Sequence, residues 1–208
     1  EVFATTFTYP EVDPNLLVWL RFSDPERSKV AADSSGHGYN AILGQNVSIV
    51  EDVQRGKVCK PGGSHDLFPH PERMVIIPEL GEMSDYETFT VSMWFRTRTR
   101  KTGYLFAWNQ IGGKPRECSL SINPHRGFRF KVANDDKAEI FAFEPPVSPV
   151  DGKWHLMTLV VDEDIPKLYL DGIKINTGEI IRTGNDQMLD RQTELYLGSG
   201  NDKDYCFY

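Results

Sequence analysis

The sequence predicts an all-β chain folded as a two-sheet antiparallel β-sandwich, and three observations lead there. Apolar residues recur with a period of two: Phe89, Val91, Met93 and Phe95 alternate with Thr90, Ser92, Trp94 and Arg96, as a strand with one buried face requires. Thirteen Pro and 17 Gly across 208 residues break the chain at short intervals, which suits strands and tight turns. No sustained run places apolar residues at the helical spacing of a core-facing stripe. At most a short helical turn is expected near residues 184–190.

The elements follow in order. Strands are expected over residues 16–22, 41–43, 47–50, 58–60, 74–77, 89–95 and 104–108, each a short apolar or alternating run bounded by turn residues. Phe128, Phe130 and Val132 alternate with Arg129 and Lys131, and His125-Arg126-Gly127 joins that run to 119–122 as a hairpin. Further strands are expected over 140–143, 154–161 and 195–197. Asp171-Gly172 separates 167–170 from 173–175, a pair that tolerates the positive φ of a type I′ turn. So many short strands imply two packed sheets. With no linker-like tract and no repeat, residues 16–208 read as one domain and residues 1–15 as an N-terminal extension.

Charge narrows the partners. Thirty acidic residues against 23 basic ones give a net charge of −7, whereas duplex binding depends on concentrated Lys and Arg. The one basic cluster, Arg96 to Lys101, reads as a solvated loop after a strand. No nucleic acid partner is expected. No apolar stretch is long enough to span a membrane as a helix. The chain begins at Glu1 with no apolar leader, which suggests a removed leader or a piece of a longer protein. Three Cys are too few for a disulfide scaffold and too scattered for zinc. Cys59 reads as a small buried residue; Cys118 and Cys206 form a disulfide only if their strands are neighbours. Asn46-Val47-Ser48 is an N-glycosylation sequon. These features point to an extracellular or cell-surface location.

Several segments, taken in order, carry a resemblance. Residues 16–22 (LLVWLRF) precede Asp33-Ser34-Ser35-Gly36-His37-Gly38-Tyr39-Asn40-Ala41; then come Gly56-Lys57-Val58-Cys59 with Gly62-Gly63-Ser64-His65-Asp66, the strand Phe89-Thr90-Val91-Ser92-Met93-Trp94-Phe95, Asp151-Gly152-Lys153-Trp154-His155-Leu156, Leu168-Tyr169-Leu170-Asp171-Gly172 and Leu195-Tyr196-Leu197-Gly198. This series resembles the laminin-G-like, concanavalin A-like jelly rolls from residue 16 to the end. Two departures stand out. The loop at Phe68-Pro69-His70-Pro71 is unusually rich in Pro and His, and the family's closing strand, which pairs near the first, would only begin at Cys206-Phe207-Tyr208. The resemblance therefore implies a domain whose last strand continues beyond residue 208 or is supplied by another segment.

That architecture hosts unrelated roles, so function is read from residues. Laminarinases of the fold use a Glu-x-Asp-x-Glu strand that points two carboxylates into one cleft; the sequence has none. Asp162-Glu163-Asp164 has the wrong spacing and reads as a loop. No enzyme activity is expected. For calcium, Asp33 is the best candidate ligand and Asn40 a possible amide partner, because the resemblance implies a metal at this turn. The competing reading is that Asp33 caps the turn through bonds to its backbone. For a sugar, Trp108 offers an aromatic face and Asn109, Asn134 and Asp135 offer polar rims. The competing reading is that Trp108, like Trp19, Trp94 and Trp154, packs in the sandwich. The expected function is a non-catalytic extracellular recognition module binding glycan or protein within a larger protein. The alternatives are a scaffolding domain of a surface assembly and an accessory lectin-like domain of a glycoside-active enzyme.

Overall fold

The computed structural model describes residues 13–62, 71–78, 80, 88–98, 101–109, 117–134, 137–162, 166–183, 194–200 and 206–207. Chain order gives β1 (Val30–Ala31), β2 (Ala41–Leu43), β3 (Ser48–Asp52) and β4 (Gly56–Lys60), then a 3₁₀ turn at Pro71–Arg73. After it come β5 (Val75–Ile77), β6 (Phe89–Arg96), β7 (Gly103–Asn109), β8 (Glu117–Asn123), β9 (Gly127–Asn134) and β10 (Lys137–Phe143). The last six are β11 (Trp154–Val161), β12 (Lys167–Leu170), β13 (Ile173–Ile175), β14 (Thr177–Thr183), β15 (Glu194–Gly200) and β16 (Cys206–Phe207).

Two antiparallel sheets result. One has the order β1-β2-β5-β15-β7-β8-β9-β10-β14, the other β13-β12-β11-β6-β16-β4-β3. Alternation explains why they face each other. Met93 and Phe95 of β6 and Met157 and Leu159 of β11 are buried, as are Phe106 of β7, Leu120 of β8 and Phe128 and Phe130 of β9, and all belong to one continuous apolar core. Phe95 and Phe128, from opposite sheets, meet edge to face with centroids 6.1 Å apart, a favourable aromatic geometry.

The hairpins form where the turn chemistry places them. Asp171 and Gly172 have φ of 52° and 80°, the two positive values a type I′ turn needs. Between β8 and β9 the Asn123 side chain accepts the N–H groups of His125 and Arg126. Gly127 follows at φ 67°, where a Cβ would lie 2.3 Å from the Phe143 carbonyl oxygen.

Four segments differ from expectation, the first being β1, a two-residue strand at Val30–Ala31 too short to show an alternation. Residues 16–22 form no strand; they make one isolated bridge, Leu20 to Asp33. The reason is local: the Asp33 carboxylate, not a neighbouring strand, accepts the Trp19 N–H at 2.9 Å, and Phe22 turns the chain at φ 51°. β14 was not expected because Gly178 and Glu179 interrupt its alternation; it pairs with β10 across a register shift between Phe141 and Phe143. β16 lies between β4 and β6, with Phe207 opposite both Cys59 and Phe95. Its neighbours are therefore in the seven-stranded sheet, not the segment at 16–22. The helical turn expected near 184–190 and the loop at 68–70 lie outside the described residues. No helix among the described residues is long and apolar enough to cross a membrane.

Candidate functional site

Strand register brings the candidate residues to a common rim. Ala31 pairs with Ala41, Leu195 with Ile77 and Trp108, and Trp108 with Cys118, which pairs with Val132. Just beyond that row lie the 33–40 turn, Asn109 and Asn134, all at one end of the nine-stranded sheet. They share a rim without sharing a site. The turn joins β1 and β2, three strand spacings from β7, which is roughly 14 Å. Asp135 and the side chains of Asn109 and Asn134 lie outside the described residues.

Asp33 organises the turn. Its Oδ1 accepts the N–H groups of Trp19 and Ser35, each at 2.9 Å; its Oδ2 accepts the Ser35 hydroxyl at 2.6 Å and the N–H groups of Gly38 and Tyr39 at 3.1 Å. Its own N–H donates to Asn40 Oδ1 at 2.9 Å. Asp33 and Asn40 are thus brought together, but through a hydrogen bond between them. Burial works against ionisation here, yet the Ser35 hydroxyl and the N–H groups of Trp19, Ser35 and Tyr39 outweigh it and hold the carboxyl below its ordinary range. A cation would have to displace these donors. Among the described residues no group of three or more His, Cys, Asp or Glu stands close enough to hold a metal ion.

Trp108 is only 4% exposed and belongs to the core. Its ring is enclosed by the sandwich, so the aromatic face expected for a sugar is not offered to solvent; the packing reading applies. Trp94 and Trp154 depart from theirs in the other direction. They alternate with core residues and lie on the outer face of the seven-stranded sheet, half-buried. The Arg55 guanidinium stacks 3.3 Å over Trp94, and that of Arg96 sits 4.9 Å from Trp154.

Asp52 joins this outer cluster. Its Oδ2 accepts Arg96 Nη1 at 2.6 Å and its Oδ1 accepts the Trp154 indole N–H at 3.1 Å. Burial opposes its ionisation, but the Gln54 N–H, the Trp154 indole and the Arg96 charge prevail and depress its titration. The result fastens the tip of the β3–β4 hairpin to β6 and β11. Sequence reasoning missed it because Asp52 and Trp154 are 102 residues apart.

The DGKWH and LYLDG segments explain each other. His155 Nδ1 lies 2.8 Å from Asp171 Oδ2, and its Nε2 lies 3.1 Å from Asp151 Oδ1. Asp171 Oδ1 also accepts the Leu156 N–H at 2.8 Å. Asp151 is held below the usual carboxylate range: burial acts against this, and the Lys153 N–H and His155 act for it more strongly.

Cys59 and Cys118 are both buried. Cys118 is on β8 and Cys206 on β16, in opposite sheets; the Cys206 side chain lies outside the described residues. Asn46 is exposed in the turn between β2 and β3.

Two antiparallel sheets around one core, with the candidate residues in rim loops, define a β-sandwich protein. The family described as Laminin_G_3, the concanavalin A-like lectin/glucanases superfamily, matches residues 73–208. The chain belongs to this family. Among solved structures it is similar to Trypanosoma rangeli sialidase in complex with sialic acid, at 16% identity and a TM-score of 0.58, covering 90% of this chain and 29% of that one. It is also similar to domains LG4-5 of the mouse laminin α1 chain (20% identity, TM-score 0.41, 53% and 27% covered) and to the carbohydrate-binding module CBM66 of Bacillus subtilis (15%, 0.38, 78% and 88%). The chain spans under a third of the sialidase and laminin chains. No curated protein sequence matches it.

Proposed function

We propose that this chain is a non-catalytic recognition module that acts outside the cell, binding glycan or an extracellular protein as part of a larger protein. The observation that carries the reading is the family match over residues 73–208 on two antiparallel sheets that share one core. Electrostatics weigh against a general-acid role for three carboxylates. A general acid at neutral pH needs a raised carboxyl pKa, whereas Asp33, Asp52 and Asp151 are all displaced downward and tied to backbone or indole N–H groups. Their chemistry is that of turn and sheet fasteners.

A glycan array probed with the intact chain, alongside turnover of aryl glycosides, tests this reading. Retention of a defined glycan set without turnover is expected. Turnover above background would overturn the non-catalytic reading. Failure to retain any glycan would move the function to protein recognition or scaffolding.

A further inference from the structure

At the end of the sandwich opposite the Asp33 rim, the chain passes from β2 to β3 and builds a groove of about 440 Å³, within the range of small-ligand sites. Three segments wall it. Ser48 on β3 and Lys60 on β4 are register partners; Pro61 and Gly62 continue from Lys60; Arg73 closes the third side from the 3₁₀ turn. Backbone bonds fix these walls: the Asn46 N–H donates to the Glu72 carbonyl at 2.7 Å and the Gly44 N–H to that of Met74 at 3.0 Å. Gly62 permits the close approach, since a Cβ there would lie 2.6 Å from Asn46 Cβ and 2.8 Å from its carbonyl oxygen.

The lining is chemically selective. The lining combines two cationic residues, Lys60 and Arg73, with Asn46 and Ser48, and Val50 and Pro61 add apolar surface. The Glu72 carboxylate lies 3.7 Å from Arg73 Nε and tempers its charge. In a chain of net charge −7, this basic groove is a local feature that cannot attract polyanions at long range. It suits a single anionic group presented on a sugar ring: charge for the cations, hydroxyls for the amide and hydroxyl, and a C–H face for Pro61.

We propose that this groove is a binding site for an acidic sugar residue, one carrying a carboxylate or a sulfate ester. The proposal rests on the glycan-recognition reading and gives it a ligand class and a place. It carries a consequence, because Asn46 and Ser48 are also the first and third residues of the sequon. A glycan attached to Asn46 would stand in the groove and exclude the ligand.

The test is an NMR titration of the unglycosylated chain, made in bacteria, with glucuronic acid, glucose 6-sulfate, glucose and inorganic sulfate as probes. The acidic sugars should shift the amides of Ser48, Lys60 and Gly62, and the sulfated and carboxylated arms show which anion is preferred. Lys60→Gln and Arg73→Gln, with spectra otherwise intact, should each weaken binding about fivefold to tenfold, the scale of one lost charge-assisted contact. Inorganic sulfate binding as tightly as glucose 6-sulfate would reduce the groove to an anion site and overturn the sugar assignment. Equal binding by protein glycosylated at Asn46 would overturn its location. Array retention of glycans unaffected by both substitutions would sink the groove while leaving glycan recognition standing; no retention at all would remove the groove's sugar ligand together with the glycan half of the recognition reading.

Discussion

Asp33 and Trp108 show how side chains of the same types serve different ends. A carboxylate that accepts five bonds from protein donors has its lone pairs engaged, so its removal costs stability whether or not metal is present. Asp33→Ala should lower stability by about 1–3 kcal/mol, the range for bonds to a charged group with some solvent access. Calcium added to chelator-treated protein should leave the melting temperature of both forms unchanged. A rise seen only with Asp33 intact would assign the ion to the turn, by mass action on the native state. Trp108 lies inside the core. Trp108→Ala should cost about 3–5 kcal/mol in denaturant melts, as large-to-small aromatic deletions do, and Trp108→Phe considerably less. Unchanged stability in the alanine form would mean that the ring is not a core element.

Among the elements, the β3–β4 hairpin has the clearest fastening. Its tip is held to the rest of its sheet by the Asp52–Arg96 ion pair, the Trp154 indole and the stacked Arg55. The Asp52 side chain is only 5% exposed, which separates this pair from the surface ion pairs that contribute little. A double-mutant cycle with Asp52→Asn and Arg96→Gln should give a coupling of about 0.5–3 kcal/mol, the range for residues in one network. Additive losses would mean that the two residues act independently. The hairpin also carries Ser48 and Lys60, so loosening its tip bears on the groove at its other end.

At the scale of the molecule, three depressed carboxylates set the acid limb of stability. Asp33, Asp52 and Asp151 titrate lower in the folded chain than in the unfolded one, where Asp titrates near about 3.9. Between those values the unfolded state binds more protons, so stability falls as pH falls. Their contribution is present in full above about pH 5 and is lost as pH drops through the folded values. Urea midpoints should therefore hold from neutral pH to about 5 and then decline steeply, and Asp33→Asn should flatten the decline. A midpoint constant down to pH 3 would contradict the assignment. The two ends of the sandwich are also chemically different: the Asp33 rim is closed by its own hydrogen bonds, and the basic groove stands open at the opposite end.

The alternation Phe89 to Arg96, the turn pair Asp171-Gly172 and the spacing of Gly and Pro were enough to determine strands, hairpins and an antiparallel sandwich, because these are properties of neighbouring residues. The family motifs were legible for the same reason. Alternation also placed Met93 and Phe95 on the inward face of β6 and Trp94 on the other. What Trp94 meets there, the Arg55 guanidinium from the β3–β4 turn, was decided only by the tertiary structure. It likewise decided that Asp33 bonds Trp19, that Asp52 meets Trp154, and that Asn46, Ser48, Lys60 and Arg73 line one groove. The sequence holds the residues of such sites, but their chemistry depends on contacts across long stretches of chain, which exist only once strands distant in order have paired.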